Sequence, residues 1–391
     1  MTVRQSIKCS SCEKIYTLRI TLGHKEIQEH TFHCYECGEL IYIKIDLDLK
    51  NALFKISEFK NCVTSKDEGL IMNLNPEAPV SKDFLHQDKM TPWMFDIIND
   101  FDLRNEKSIF NISNDVYQNI TSGFNFNNWI SIKKCWKFYL KGNEKLLKKF
   151  LTNYDNKDNI EDGHFIEYLY DFIISFYFPG KKGTFDKCLD LFNKCKKDNR
   201  DKLITYRKQG KTNFDDFIKK GFQIFSEYFL NYNLYEPVLL YLKNNIKLRD
   251  ELIVTSVDFE KIKMFYGNCF EYFTDIIEVM VCLNNIAQGR EYDTFEDLTL
   301  KKYRSLDKSS RLNPLKSYNF YNDFLNKFDN QLRNASHHGA IEYDEDSDLI
   351  KFVHGKGDTE STMSYLEYLI HCNEIFLNTC VVLSVSMIVF Y

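Results

Sequence analysis

The sequence has few of the residues that keep a chain unfolded, with 6 prolines and 15 glycines among 391 residues. Hydrophobic residues make up 44% of the chain and the net charge is only -5. There is therefore enough apolar side chain to fill several buried cores. This composition excludes a disordered or low-complexity protein, and the length predicts two or three domains.

The chain also begins without an apolar segment of the length that a secretion signal needs. We expect a cytoplasmic protein in a reducing environment, whose twelve cysteines form no disulfides. Residues 375–391 carry no charge, which raises a membrane-spanning segment as an alternative. That stretch is at the short limit for a membrane span. We therefore expect a buried core helix and no membrane contact, with a membrane anchor as the alternative.

Alternating apolar and polar residues predict β-strands within the first 50 residues. The alternation runs through residues 16–22 and 41–49, and each run follows a pair of cysteines. A period of two residues is typical of a strand with one covered face. Residues 61–92 contain three of the six prolines and have no sustained period. We interpret residues 51–92 as a linker.

From Trp93 onward, apolar residues recur three or four positions apart, which predicts helices. We interpret residues 93–250 as a helical middle domain and residues 251–391 as a second helical domain. The elements expected in the second domain are one long helix over 259–288, a helix from Tyr318 to Gly339, a β-hairpin of 341–343 and 349–353, and a final helix from Thr362. The predicted fold class is mainly α with a small N-terminal β region.

Two cysteine pairs of the form Cys-x2-Cys lie in the β-patterned region. Cys9 and Cys12 form the first pair, and Cys34 and Cys37 form the second. Tetrahedral Zn²⁺ needs four ligands that converge on one point, and two short knuckles at the bases of adjacent hairpins supply them. Residues 1–50 resemble a zinc ribbon, and the resemblance implies a closed, structural Zn²⁺ site.

Three histidines, His24, His30 and His33, lie between the two cysteine pairs. They are alternative ligands, although a complete set of four thiolates leaves them no vacancy. A ribbon can contact nucleic acid, bind a protein, or fold a region too small to hold its own core. We expect this one to recognise nucleic acid or a protein partner.

Residues that suit phosphate chemistry are concentrated in the segment LRNASHHG. Arg333 and Asn334 lie at the predicted end of an amphipathic helix, and His337 and His338 follow them. Arginine neutralises a phosphoryl group, and an imidazole that titrates near neutrality moves protons. We expect Gly339 to end the helix and to leave His338 free to turn inward.

This segment resembles the HEPN superfamily (higher eukaryotes and prokaryotes nucleotide-binding domains), whose ribonuclease members carry an arginine, a polar residue and a histidine shortly after. Arg333, Asn334 and His338 match, with four residues between Arg333 and His338. The resemblance covers about residues 251–391. It implies a helical bundle with a short β-hairpin, and metal-independent RNA cleavage in which the ribose 2'-hydroxyl attacks the adjacent phosphate.

The resemblance also implies a role for each residue of the motif. His338 is the general base or acid, Arg333 stabilises charge on the phosphoryl oxygens, and Asn334 orients the histidine or the substrate. His337 is a candidate supporting residue behind these groups. Family members usually act as dimers that bring two motifs into one cleft, so RNA and a second copy of the chain are the implied partners. A regulatory protein is a further candidate partner, and a toxin or antiviral defence effector is the implied role.

Basic residues are concentrated between Lys181 and Lys220, where 13 lysines and arginines face 6 aspartates. A surface that follows a phosphate backbone is one interpretation, and a solvated helix face is the other. The residues that would form this nucleic-acid-binding surface are Lys194, Lys196, Lys197, Arg200, Lys202, Arg207, Lys208 and Lys211.

The sequence thus predicts an endoribonuclease with a zinc ribbon. The alternative is a non-catalytic protein, in which the ribbon and the basic stretch bind nucleic acid or a partner and the C-terminal domain dimerises or senses a nucleotide.

Overall fold

A computed structural model of the full chain describes residues 2–23, 25–48, 51, 53–88, 126–155, 164–344, 347, 349–354 and 359–391. The chain forms two compact units. The first unit contains Met1–Gly123, Leu230–Gly267 and Asp329–Asn373, and the second contains Phe124–Phe229, Asn268–Phe328 and Glu374–Tyr391. Each unit therefore combines stretches that are distant in sequence.

The N-terminal part of the first unit is built from β-strands, as the alternation predicted. The strands are β1 (Thr2–Cys9), β2 (Ile15–Thr21), β3 (Ile27–His33), β4 (Leu40–Asp48), β5 (Leu53–Lys60), β6 (Cys62–Thr64), β7 (Leu70–Leu74) and β8 (Val80–Ser81), followed by a 3-10 turn at Lys82–Phe84. One sheet has the order β6-β1-β2-β7 and another the order β3-β4-β5. The β2–β7 pair is parallel and the other pairs are antiparallel.

Residues 51–92, which we interpreted as a linker, contain β5 to β8 within their described part. These strands pair with distant partners, since β6 joins β1, β7 joins β2, and β8 joins β9 (Leu252–Ile253). β6, β7 and β8 have only two to five residues and are too short to show a period of two, whereas β5 has eight residues and pairs with β4 through an irregular register. The absence of a pattern therefore did not indicate a linker in this part of the chain.

The remaining described elements are mostly helical, as predicted. The helices are α1 (Phe126–Leu140), α2 (Glu144–Asp155), α3 (His164–Tyr177), α4 (Lys182–Asp198), α5 (Arg200–Leu230), α6 (Tyr232–Lys243), α7 (Phe259–Ile262), α8 (Phe265–Ile276), α9 (Glu278–Ala287), α10 (Leu300–Arg304), α11 (Tyr321–Leu325), α12 (Asn330–His338) and α13 (Tyr365–Phe390). Two 3-10 turns, Lys308–Ser310 and Asn313–Leu315, lie between α10 and α11.

The single helix predicted over 259–288 is divided into α7, α8 and α9. At the break between α7 and α8, side chains from distant elements donate hydrogen bonds to main-chain carbonyls. Tyr368 donates to the carbonyls of Ile262 and Lys263, and Ser336 donates to that of Lys263 at 2.6 Å. These donors supply hydrogen bonds to carbonyls at the break in the helical ladder.

The helix predicted from Tyr318 to Gly339 is also divided, into α11 and α12. Asn326 is extended, and Lys327 has a φ of 59°. Asp329 then starts a new helix, because its carboxylate accepts hydrogen bonds from the main-chain N–H groups of residues 331 and 332. The Arg-Asn-x3-His segment therefore lies on a separate helix of nine residues.

The predicted β-hairpin is present and has a third strand. β10 (Ile341–Asp344) pairs with β11 (Leu349–His354), and β11 pairs with β12 (Thr359–Ser364). Because β12 occupies the residues before Tyr365, the last helix begins there and not at Thr362.

The last helix, α13, is long and apolar enough to cross a membrane, but 94% of its most apolar 18-residue window is buried within the protein. This burial is what we expected of a core helix. In the second unit, Phe376 of this helix stacks on Tyr228 with ring centroids 3.9 Å apart. Glu374 makes a buried ion pair with Lys181 at 2.5 Å.

Candidate functional site

The four cysteines of the two predicted knuckles converge. Their Sγ atoms all lie within 4.8 Å of one another. Cys9 and Cys37 are 3.7 Å apart, and Cys12 and Cys34 are 3.5 Å apart. The β1–β2 and β3–β4 hairpins produce this arrangement, because the turn of each hairpin carries one cysteine pair.

These distances fit a tetrahedral metal ion with thiolate ligands. A Zn–S bond of about 2.3 Å places the sulfur atoms of a tetrahedron about 3.8 Å apart. No histidine belongs to the cluster within the described part of the chain. The cluster can hold a metal ion such as zinc, and its four protein ligands leave no open position for a substrate.

Tyr16 lies directly behind the cluster. Its hydroxyl is 3.1 Å from the Sγ atom of Cys34 and accepts a hydrogen bond from the main-chain N–H of Tyr35 at 2.8 Å. Burial and the neighbouring Cys34 raise the pKa of the Tyr16 phenol well above its ordinary value. The phenol therefore keeps its proton and can donate it to a thiolate at Cys34.

The pKa of Cys34 reflects these contacts. Burial raises it, but hydrogen bonds from Tyr16 and from the main-chain N–H groups of Glu36 and Cys37 lower it to about 7. A thiolate that accepts several hydrogen bonds is stabilised as a metal ligand. Cys37, the exposed member of the cluster, also accepts a hydrogen bond from the main chain, at Glu39.

The histidines between the knuckles have other positions. The Nδ1 atom of His33 is 3.0 Å from the carbonyl oxygen of Gly38. His30 is fully buried, and neither of its ring nitrogens has a hydrogen-bond partner among the described residues. Burial lowers the pKa of His30 to about 4, so it is neutral at physiological pH. His24 lies outside the described residues.

The helix that carries the Arg-Asn-x3-His segment, α12, is fixed at both ends and along one side. At its start, the N–H of Asp329 donates to the Tyr266 hydroxyl at 2.7 Å. Along its side, the buried Ser336 hydroxyl donates to the Lys263 carbonyl. At its end, Gly339 has a φ of 68°, a left-handed conformation that favours glycine.

Gly267 of α8 allows α12 to pack closely. A Cβ atom at this position would lie 3.1 Å from Nε2 of His337 and 3.2 Å from Cβ of Ser336. Nε2 of His337 is buried and has no hydrogen-bond partner in the described part of the protein. His337 is therefore directed toward the interior of the first unit.

The other motif residues are more accessible. The Arg333 guanidinium donates to Oδ1 of Asn334 at 2.6 Å, and both side chains are partly exposed. We expected Gly339 to leave His338 outside the helix and free to turn inward. Instead, His338 is exposed and is the last residue of α12. At 100° per residue, positions 333 and 338 differ by about 140° around the helix axis. Arg333 and His338 therefore start from different faces of α12.

The predicted basic residues lie on α4 and α5 of the second unit. Six of them are exposed: Lys194, Lys196, Lys197, Arg200, Lys208 and Lys211. Lys202 and Arg207 are partly buried, and Lys202 pairs with Glu291 at 3.5 Å. Lys211 lies 4.8 Å above the Tyr391 ring. Tyr206 is buried against Tyr292 and Phe390, so it offers no surface for a nucleic-acid base.

No protein-family model matches the chain, and comparisons with curated proteins and with solved structures give no match.

The sequence did not reveal the residues that support the cysteine cluster and those that support helix α12. Tyr16, Ser336 and Gly267 each act through a contact with a residue at least 18 positions away. The one local signal was Asp329, which stands directly before α12 and is a residue type that favours helix starts. The other three have no local pattern that marks their role.

Proposed function

We propose that this protein is an endoribonuclease that cleaves RNA by attack of a ribose 2'-hydroxyl on the adjacent phosphate. The observation that carries the proposal is the short helix α12, which presents Arg333, Asn334 and an exposed His338 from a rigidly anchored backbone. A permanent cation, an amide and an imidazole are the groups this reaction needs. His338, not the inward-directed His337, is the proton-transfer residue of the proposal.

The proposed reaction needs two proton transfers. One imidazole removes the proton of the 2'-hydroxyl while that oxygen bonds to phosphorus, and the O5' atom leaves with a proton from a general acid. The products are a 2',3'-cyclic phosphate and a free 5'-hydroxyl. Arg333 stabilises the charge that develops on the phosphoryl oxygens, and Asn334 holds the guanidinium through its 2.6 Å hydrogen bond.

A homodimer fits this chemistry. Arg333 and His338 start from faces of α12 that differ by about 140°, which suits a cleft where two copies of the helix meet. Two such helices bring Arg333 of one copy to His338 of the other, and that imidazole can act first as the base and then, once protonated, as the acid. The exposed cations of α4 and α5 are the proposed contacts for the phosphate backbone elsewhere on the RNA.

The test is incubation of purified protein with total cellular RNA in EDTA, followed by end-group analysis. We expect wild type to leave 2',3'-cyclic phosphate ends, and Arg333→Ala and His338→Ala to lose this cleavage. The matched control is His86→Ala, which removes another exposed histidine of the first unit. Zinc content is measured after the incubation, so that loss of the cysteine-bound metal is detected.

Two outcomes oppose the proposal. Undiminished cleavage by both motif variants would show that another site or a contaminant cuts the RNA. If the wild type and every variant bind RNA without cutting it, the result would favour the non-catalytic nucleic-acid-binding function. In the proposed role of toxin or antiviral defence effector, expression of wild type slows growth, whereas expression of Arg333→Ala does not.

We also propose that Cys9, Cys12, Cys34 and Cys37 hold one structural Zn²⁺ in a zinc ribbon. The support is the fit between the sulfur separations and a tetrahedron of Zn–S bonds. When bound, zinc would cross-link the β1–β2 and β3–β4 hairpins. Elemental analysis of the purified chain should find one zinc per chain. Cys37→Ser should lose it, whereas Cys135→Ser, in α1 of the second unit, should keep it.

A further inference from the structure

We infer that the zinc centre holds helix α12 in its working position, so that loss of zinc releases the Arg-Asn-x3-His segment. The inference rests on the proposed zinc site and identifies Tyr343 as a positioning residue for the proposed nuclease. The ribbon and α12 are parts of the same compact unit. Two sets of contacts connect them within that unit.

The first set is formed by the main chain of residues 251–257. β9 pairs with β8, and the N–H of Lys82 donates to the carbonyl of Glu251 at 3.0 Å. The Thr255 hydroxyl accepts from the N–H of Asn75 at 2.8 Å and donates to its carbonyl at 3.1 Å. Next, the N–H of Val257 donates to the carbonyl of Thr31 in β3 at 2.9 Å. The chain that leads into α7 is thus attached to the ribbon at Thr31 and to the neighbouring segment of residues 75–82.

The second set begins at the second cysteine knuckle. Gly38 closes this knuckle, with a φ of 71° and its N–H donating to the carbonyl of Cys34 at 2.8 Å. The Gly38 carbonyl faces Nδ1 of His33, whose ring lies against the Tyr343 ring with centroids 5.6 Å apart. A displacement of the knuckle therefore reaches the side chain of Tyr343.

Tyr343 connects this contact to the motif helix. It lies in β10, which begins two residues after Gly339, and its ring also packs against Phe259 and Tyr365. Phe259 begins α7, and the turn after α7 contains the Lys263 carbonyl that accepts from Ser336 of α12. The end of α12 is therefore connected to the ribbon through Tyr343, and its side is connected indirectly, through Lys263, Phe259 and Tyr343.

Metal binding stabilises a four-cysteine site, and it contributes about 10–16 kcal/mol in small zinc-finger peptides. Without zinc, the two knuckles lose the bonds that join them through the metal, and we expect the knuckle at Gly38 to open more often. Tyr343 then loses its support from His33, and the main-chain link at Thr31 weakens. We expect α12 to open locally more often while the second unit keeps its structure.

The first test is hydrogen–deuterium exchange, read by mass spectrometry, on the zinc-loaded full chain and on the Cys37→Ser variant. We expect peptides that cover residues 330–344 to exchange about tenfold faster or more in the variant. Peptides from α4 of the second unit should not change. Faster exchange around the knuckle with unchanged exchange at 330–344 would overturn the inference.

The second test keeps the metal in place. Tyr343→Leu should retain one zinc per chain and yet accelerate exchange at 330–338 by about tenfold, because the ring contacts are lost. Tyr35→Leu is the matched control, since this exposed tyrosine lies on the same knuckle and its ring faces His86. Equal exchange in both variants would contradict the role of Tyr343. Exchange is measured without RNA, so a failure of the nuclease proposal leaves this result interpretable.

Discussion

Tyr16→Phe offers a sharp test of the zinc centre, because it removes one oxygen atom and keeps the ring. In the wild type, the Tyr16 hydroxyl lies 3.1 Å from Cys34 and accepts from the N–H of Tyr35. The ring itself packs edge-on against Phe32, with centroids 5.5 Å apart. The substitution therefore leaves the packing intact and removes two hydrogen bonds next to a metal ligand.

The magnitude follows from those two bonds. Loss of the partly buried hydrogen bond from the Tyr35 N–H costs about 0.5–1.5 kcal/mol, and the thiolate of Cys34 loses a charge-assisted bond. Removal of a residue that supports a metal ligand typically lowers metal affinity by about 10–100-fold. Because part of the cost also affects the metal-free fold, we expect a loss of zinc affinity of about tenfold for Tyr16→Phe.

The assay is competition for zinc with a chromophoric chelator, read by absorbance. Tyr42→Phe is the matched control, since the Tyr42 hydroxyl donates to Glu29 at 2.7 Å in the same β region and touches no cysteine of the cluster. Tyr42→Phe should bind zinc as the wild type does. Wild-type affinity in Tyr16→Phe would refute the argument that the phenol stabilises the Cys34 thiolate.

Three further predictions concern stability, and chemical denaturation checks each of them. The pKa of His30 is about 4 in the folded protein and 6.5 in an unfolded chain. The free energy of unfolding should therefore fall by about 3 kcal/mol as the pH is lowered from 6.5 toward 4. His30→Leu should lack this decrease. Lys181→Met and Glu374→Leu should each destabilise by about 3–5 kcal/mol, because each leaves one buried charge unpaired, whereas the double variant should lose much less than the sum. Gly267→Ala should be less stable than Gly183→Ala by about 1 kcal/mol or more, because a Cβ atom at position 183 meets nothing within 4 Å.

Each of these predictions has an opposing result. The His30 argument fails if the difference in stability between wild type and His30→Leu is independent of pH over this range. Additive effects of the two substitutions at Lys181 and Glu374 would mean that the charges do not interact. Equal stabilities of the two alanine variants would mean that α12 moves aside at no cost.

The zinc cluster was predictable because its information is local. Each pair of cysteines spans four residues, and the neighbouring alternation placed both pairs at the ends of hairpins. Tyr16 was not predictable as a supporting residue. Its approach to Cys34 depends on how two hairpins pack, and no pattern within either hairpin encodes that packing.

The helix boundaries illustrate the same distinction. The apolar residues predicted over 259–288 are buried, but in α9 all ten residues are buried and not one face alone. The first interruption of the predicted helix depends on donors at Ser336 and Tyr368, which lie 73 and 105 residues away from Lys263. The burial of α13 also depends on distant residues. Its Glu374 is paired with Lys181, which lies 193 residues away in the sequence.

The geometry of α12 leads to a last prediction, about which copy of the chain supplies each group. Because Arg333 and His338 lie about 140° apart around one helix, we expect the working pair to come from two copies in a dimer. Refolding a mixture of Arg333→Ala and His338→Ala chains gives mixed dimers that contain one intact arginine and one intact histidine on opposite chains. We expect such a mixture to regain about a quarter of wild-type cleavage, since half of the dimers are mixed and each restores one of two pairs. Cleavage would stay absent if both groups had to come from the same chain, and size-exclusion chromatography of the mixture must show that dimers have formed.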